Sequence, residues 1–232
     1  KKPLGWVSHQ ILQYKNERKV IKKTPLFVPA GQSTQMVIGA TPENDMQVMN
    51  TAMNYYEQFQ LKRVYYSAYI PIASDNKLLP KLGSAPSLIR ENRLYQTDWL
   101  LRFYDFKLEE ILNEKHKHLD MEIDPKLTWA LRNLQLFPID VNKADFQAII
   151  RIPGVGRQSA MKIISARKYG KIREEHLKKF GIAYNRAKFF MICADTPIQL
   201  GYLDSQIIRS RILDKKMPVS KKKNPYQLEL FS

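Results

Sequence analysis

The chain has 232 residues, 44% hydrophobic and 11% aromatic, enough for one large core or two small ones, which excludes wholesale disorder. Its 38 Lys and Arg against 22 Asp and Glu leave a formal charge of +16, so the expected partner is a polyanion, either nucleic acid or an anionic membrane surface. No run of about 18 apolar residues exists, so no membrane span is predicted, and the start "KKPLGWVSHQ" lacks the apolar stretch of a signal peptide.

In chain order, residues 6–22 read as a helix, with Val7, Ile11, Leu12 and Tyr14 interspersed among charges. "TPLFVPAGQSTQ" runs into a polar turn, and "MVIGA" (36–40) reads as a buried strand. "TPENDMQVMNTAMNYYEQFQ" predicts a helix capped by Thr41, with Pro42 at its first position and Glu43 and Asp45 favouring its dipole. Met46, Met49, Met53 and Tyr56 then recur at helical spacing. The β-branched and aromatic "KRVYYSAYIPI" (62–72) is the next expected strand. Strand, helix and strand form the unit of a parallel sheet, with too few strands here to close one. The first part therefore looks like a piece of a larger α/β domain.

"ASDNKLLPKLGSAPS" is loop-like. "RENRLYQTDWLLRFYDFKLEEIL" (90–112) predicts one long helix with Tyr95, Trp99, Arg102 and Phe106 on a shared face, read as core packing rather than a cofactor box. His116 and His118 in "EKHKHLD" read as solvated rather than metal-binding, so no metal site is expected in this chain. "DPKLTWALRNL" adds a short helix opened by Asp124 and Pro125. The single cysteine, Cys193, excludes an intrachain disulfide, fits a reducing compartment, and reads as a small buried hydrophobe.

The charge is uneven. Residues 134–232 hold 19 Lys and Arg against 8 Asp and Glu, whereas the first 133 hold 19 against 14, so the polyanion is expected to meet the C-terminal part. There "NKADFQAIIRIPGVGRQSAMKIISARK" predicts a short helix capped by Asn142 and ending near Arg151, then a second starting near Arg157. The turn between them resembles the helix-hairpin-helix motif: Ile149, Ile152, Pro153, Gly154, Val155, Gly156 and Ala160 fit its apolar-x-x-apolar-Pro-Gly-apolar-Gly-x-x-x-Ala pattern. Gly154 and Gly156 permit unusual backbone angles and leave no Cβ before a ligand, while the N–H groups opening the second helix form an anion site suited to a DNA phosphate. Arg157, Ser159, Lys162 and Arg167 add contacts along that helix, positioning DNA without reading bases. The plain alternative is a tight helical turn with no ligand. "HLKKFGIAYNRAKFF" looks like a degenerate second copy, with Gly181, Ile182 and Ala187 in register and Ala183 where Gly156 stood. Its expected work is structural pairing, with Gly181, Arg186 and Lys188 as auxiliary DNA contacts.

At "FVPAGQSTQMVIGATPENDMQ", "LKRVYYSAYIPI" and "RENRLYQTDWLLRFYDF" the chain resembles a bacterial family of DNA modification/repair radical SAM proteins, which also end in helix-hairpin-helix repeats. The resemblance implies the late strands of a partial TIM-like barrel, part of an enzyme that binds a 4Fe-4S cluster and S-adenosylmethionine. Gln32, Ser33, Thr34, Gly39 and Glu43 would then line the cofactor site; the alternative is that Gly39 ends a strand and Glu43 serves the helix dipole. Such clusters need Cys-x3-Cys-x2-Cys, which this chain lacks, so neither cofactor is expected to bind the chain alone. In a DNA context the terminal "QLELF" resembles a sliding-clamp docking peptide, with Gln227, Leu228, Leu230 and Phe231 making the contact from a basic tether.

The reading is thus α/β followed by all-α: 1–80 part of an incomplete barrel, 81–133 an aromatic helical extension, 134–215 a tandem helix-hairpin-helix domain, and 216–232 a basic tail. The expected function is the C-terminal part of a radical SAM enzyme of DNA modification or repair, cytoplasmic and at the bacterial nucleoid. The alternative is a non-catalytic DNA-binding adaptor.

Overall fold

A computed structural model describes residues 2–71, 88–196 and 204–214. Among them the chain is mixed α/β and mostly helical, with ten α-helices and two small two-stranded parallel sheets. It divides into two units, Lys1–Pro125 and Lys126–Ser232.

The first unit begins with α1 (Lys2–Val20), β1 (Ser33–Ile38), α2 (Asp45–Phe59) and β2 (Arg63–Ala68). β1 and β2 pair in parallel from Ser33↔Arg63 to Ile38↔Ala68, so the expected strand–helix–strand unit is present. β1 starts and stops earlier than the predicted 36–40. Gly39 takes φ +79°, a left-handed angle that ends the strand. The cap of α2 moves too. Asn44, not Thr41, accepts the Gln47 N–H, and the Gln47 side chain returns the bond to the Asn44 N–H. Thr41 and Glu43 bond each other in the turn before it.

α3 (Leu88–Phe103) packs on β2, and α4 (Leu108–Ile111) follows after a break. The predicted continuous helix over 90–112 fails because Asp105 adopts φ +57°, a conformation a helix cannot contain. The shared aromatic face fails with it: Phe106 lies beyond the helix and is buried, whereas Trp99 is 53% exposed.

α2 and α3 together seal the outer edge of β2. The main-chain N–H groups that point away from β1 each find a side chain. Val64 donates to the Tyr56 hydroxyl at 2.9 Å, Tyr66 to the Tyr95 hydroxyl at 3.0 Å, and Ala68 to Glu91 Oε2 at 3.1 Å. Tyr95 in turn donates to the Tyr66 carbonyl at 3.1 Å. Behind them Asp98, 2% exposed, accepts from Tyr56 at 2.7 Å and from Arg102 Nε at 2.9 Å. Burial, with the Asp98 carboxylate close by, pushes the Tyr56 and Tyr66 hydroxyl pKa values far above the usual range, so both stay protonated donors.

The second unit contains α5 (Pro125–Arg132), a 3-10 turn (Leu134–Leu136), β3 (Ile139–Asp140), α6 (Phe146–Arg151), α7 (Arg157–Ala166), α8 (Glu174–Lys179), α9 (Tyr184–Ala187), β4 (Met191–Ile192) and α10 (Ser205–Asp214). β3 and β4 pair in parallel and bracket the four central helices. Ile149, Ile150, Ile152, Ile163, Ile172, Leu177 and Phe190 form the core, each no more than 2% exposed. Asn142 is not the cap of α6. Its amide pairs with the main chain of Ile172, accepting from the N–H at 2.7 Å and donating to the carbonyl at 3.2 Å. Asp145 caps instead, accepting from the Ala148 N–H at 2.7 Å.

Tyr95→Phe leaves the Tyr66 N–H and carbonyl without their partner at a buried strand. The expected cost is about 1–3 kcal/mol, read as a lower urea midpoint with an unchanged m-value.

Candidate nucleic-acid interface

α6 and α7 are joined by the turn Ile152 to Gly156, and the two glycines in it do different work. Gly154 takes φ +87°, and a Cβ there would lie 2.9 Å from the Ala183 carbonyl oxygen. Glycine is required on both counts. Gly156 is the N-cap of α7 at φ −90°, ψ 167°, extended backbone that any residue adopts. The expectation that both glycines supply unusual angles therefore holds for Gly154 alone. No conformational need explains glycine at 156.

The second hairpin, α8 to α9, meets the first at its turn. The Ala183 N–H donates to the Gly154 carbonyl at 3.0 Å, and Ser159 Oγ donates to the Phe180 carbonyl at 2.9 Å. Ala160 and Ala187 are fully buried, so small residues let the helices close. The second turn thus spends the Ala183 N–H, the counterpart of the Gly156 N–H, on the first. Gly181, at φ +77°, is exposed, and beyond its chain neighbours nothing lies within 4 Å of where a Cβ would stand. A cavity of about 530 Å³ flanks this hairpin, lined by Ile182, Tyr184, Arg186 and Ile212 among others. Burial, reinforced by a hydrogen bond to Glu174, pushes the Tyr184 hydroxyl pKa above its usual range.

Several predicted DNA contacts are placed otherwise. Pro153 and Val155 are buried and serve the core. Ser159 is buried and committed to Phe180. Arg167 Nη1 donates to the Ala144 carbonyl at 2.5 Å and the Val141 carbonyl at 3.3 Å, tying the end of α7 to the approach to α6. Arg157 and Lys162 lie on the exposed side of α7. Arg186 is half-buried, and the ammonium of the half-buried Lys188 lies 5.2 Å from the Phe189 ring centroid. Sequence reasoning missed Lys126. It is 7% exposed, and its Nζ donates to the Val155 carbonyl at 2.7 Å. A lysine at the opening of a short helix carries no signal that it will be buried against a turn 29 residues on.

From Arg151 to Arg173 the chain carries seven Lys and Arg, and no Asp or Glu occurs between Asp145 and Glu174. The turn and α7 lie inside that run.

In the first unit the predicted cofactor residues divide. Gln32 is buried and structural: its Nε2 donates to the carbonyls of Leu4 and Phe59 and to Ser8 Oγ, holding α1 to the end of α2. Ser33 is exposed and Thr34 half-buried on β1. At the end of β1, the Gly39 N–H donates to Glu43 Oε1 at 2.8 Å and the Thr41 hydroxyl donates to Oε2. The Gly39 N–H is thereby occupied from within the chain. Partial burial raises the Glu43 carboxyl pKa, but the bonds from Thr41, Gly39 and its own N–H, with the Arg90 guanidinium, outweigh it and hold the group below its usual 4.5. Beside it Asp45, fully buried, accepts from Arg90 Nε at 2.6 Å and from the Leu119 N–H at 2.8 Å. The side chain of His118 is 70% exposed, its Nδ1 3.9 Å from Asp45.

Among the described residues no group of His, Cys, Asp or Glu is arranged to hold a metal, and no helix is long and apolar enough to cross a membrane. Cys193 is half-buried, and its N–H donates to Thr196 Oγ1 at 2.8 Å. The predicted tail contacts Gln227, Leu228, Leu230 and Phe231 lie outside the described residues. No family model, curated protein or solved structure matches the chain.

Gly154→Ala is expected to cost about 1–3 kcal/mol in urea unfolding, from the left-handed φ and the collision with Ala183, whereas Gly156→Ala stays within about 1 kcal/mol of the parent. Glu43 gives a pH signature. Its folded pKa lies below the unfolded value, so the ionised carboxylate stabilises the fold above pH 4.5 and that contribution is lost as pH falls through the folded value. The stability gap between the parent and Glu43→Gln, measured by denaturant titration, should therefore shrink as the pH is lowered below 4.5.

Proposed function

We propose that the chain is the C-terminal portion of a radical SAM enzyme of DNA modification or repair, and that its second unit is a tandem helix-hairpin-helix module that grips DNA by phosphate, without base readout. One observation carries the DNA half. The Gly154–Gly156 turn and α7 lie in a stretch with no Asp or Glu of its own and seven cations, of which Arg167 is committed to main-chain carbonyls and Arg173 lies 3.7 Å from Asp195. Within it, glycine at 156 answers no backbone need. A position with ordinary angles and no side chain is what close approach of a phosphate oxygen to the turn requires. The second hairpin serves as a buttress, since its Ala183 N–H is given to Gly154. Gly181, Arg186 and Lys188 are left as peripheral contacts.

The enzyme half rests on the family resemblance. The parallel β1–α2–β2 unit is compatible with one step of a TIM-like barrel. The residues present do not fit the cluster: one cysteine cannot supply three thiolates. Nor do Gly39 and Glu43 fit a nucleoside ligand as they stand, because they bond each other, and the Gln32 amide nitrogen is spent on α1 and the end of α2. The adaptor reading, in which this chain contributes DNA and clamp binding alone, is favoured by that mismatch. Both readings share the DNA module.

A salt titration of duplex binding tests it. Each phosphate contact contributes about 0.9 to the negative log–log slope. The parent should bind with a steep slope, Gly156→Val should fold normally and flatten it, and removal of residues 224–232 should leave duplex binding unchanged. No binding at low salt refutes the module.

A further inference from the structure

We infer that Lys126 is a positioning residue for the phosphate site, setting the direction in which the hairpin presents its N–H. This rests on the DNA-binding reading above and assigns it a residue outside the motif. Lys126 opens α5, twenty residues before α6 begins. Its ammonium is nevertheless buried and donates to the carbonyl of Val155, a residue only 2% exposed, at 2.7 Å. That carbonyl belongs to the Val155–Gly156 peptide. In a trans peptide the C=O and the N–H point in opposite directions from one plane. Fixing the carbonyl inward on a buried cation therefore turns the Gly156 N–H outward.

The rest of the turn agrees. The Val155 N–H is taken by the Ile152 carbonyl and the Gly154 carbonyl by Ala183, so the preceding peptide, Gly154–Val155, is held at both of its polar ends and the Val155–Gly156 peptide follows from a fixed base. Among the described residues no acceptor meets the Gly156 N–H. Gly156 is the N-cap of α7 and has no side chain to close the helix end itself. An outward N–H, without a Cβ beside it and in the acid-free cationic run, is matched to an anionic oxygen. The ammonium behind the peptide adds a second effect: it draws electron density from the carbonyl and makes the N–H of the same amide a stronger donor. Lys126 acts through the peptide and needs no contact with DNA.

The test uses the full chain, a short mixed-sequence DNA duplex and the amide proton signals of the protein. In the parent, adding duplex should shift the Gly156 amide downfield, among the largest such changes in the chain. Lys126→Met should keep the far-ultraviolet spectrum, bind the duplex about tenfold more weakly, the scale of one charge-assisted hydrogen bond, and lose the Gly156 shift. A merely structural lysine would alter the melting temperature without singling out that amide. If the parent binds DNA while its Gly156 amide does not move, the inference is overturned whatever the variant does, which covers a variant that fails to fold. Equal binding by a folded Lys126→Met overturns it as well, leaving the DNA module standing. If the parent binds no duplex, the module itself fails and the inference with it.

Discussion

The bond from the Ala183 N–H to the Gly154 carbonyl is the point on which the second unit turns. It joins two hairpins at their tips, where a Cβ on residue 154 would collide with the Ala183 oxygen. Tip-to-tip closure brings the helices together over Ala160 and Ala187, both fully buried, where a larger side chain would have to find room in a close-packed interior. It also decides the division of labour. One hairpin spends its turn N–H on its neighbour, and the other keeps its own.

The first unit relies on buried carboxylates in a comparable way. Asp98 gathers two tyrosine hydroxyls and an arginine behind β2, and Asp45 gathers Arg90 and the Leu119 N–H at the end of β1. A buried carboxylate is tolerable only when its lone pairs are filled, and both are met from more than one direction. Each therefore fixes the geometry of several segments. Removing one partner would leave a charge the interior cannot solvate.

Local chemistry made part of this legible. Gly154 could be read from its neighbours because the demand on it, a left-handed turn between two short helices, is itself local. The strand–helix–strand unit was legible because β-branched residues and a period of 3.6 alternate over short distances. Asn142 and Asp145 are both good caps three residues apart, and only the distant main chain of Ile172 decides between them. The end of α3 at Asp105 has no glycine or proline to mark it. Ser159 and Arg167 looked like ligand contacts because cations and hydroxyls on a helix do not declare which carbonyls the tertiary fold brings to them.

The sealed edge of β2 has a further consequence. Val64, Tyr66 and Ala68 have already given their outward N–H groups to Tyr56, Tyr95 and Glu91, so that side cannot act as a template for another chain. A sheet closed on one flank can be extended only from the other. Any lengthening of this sheet is therefore directional, with each new strand laid beside Ser33–Ile38, and the side chains of α2 and α3 serve as a stop against growth past β2.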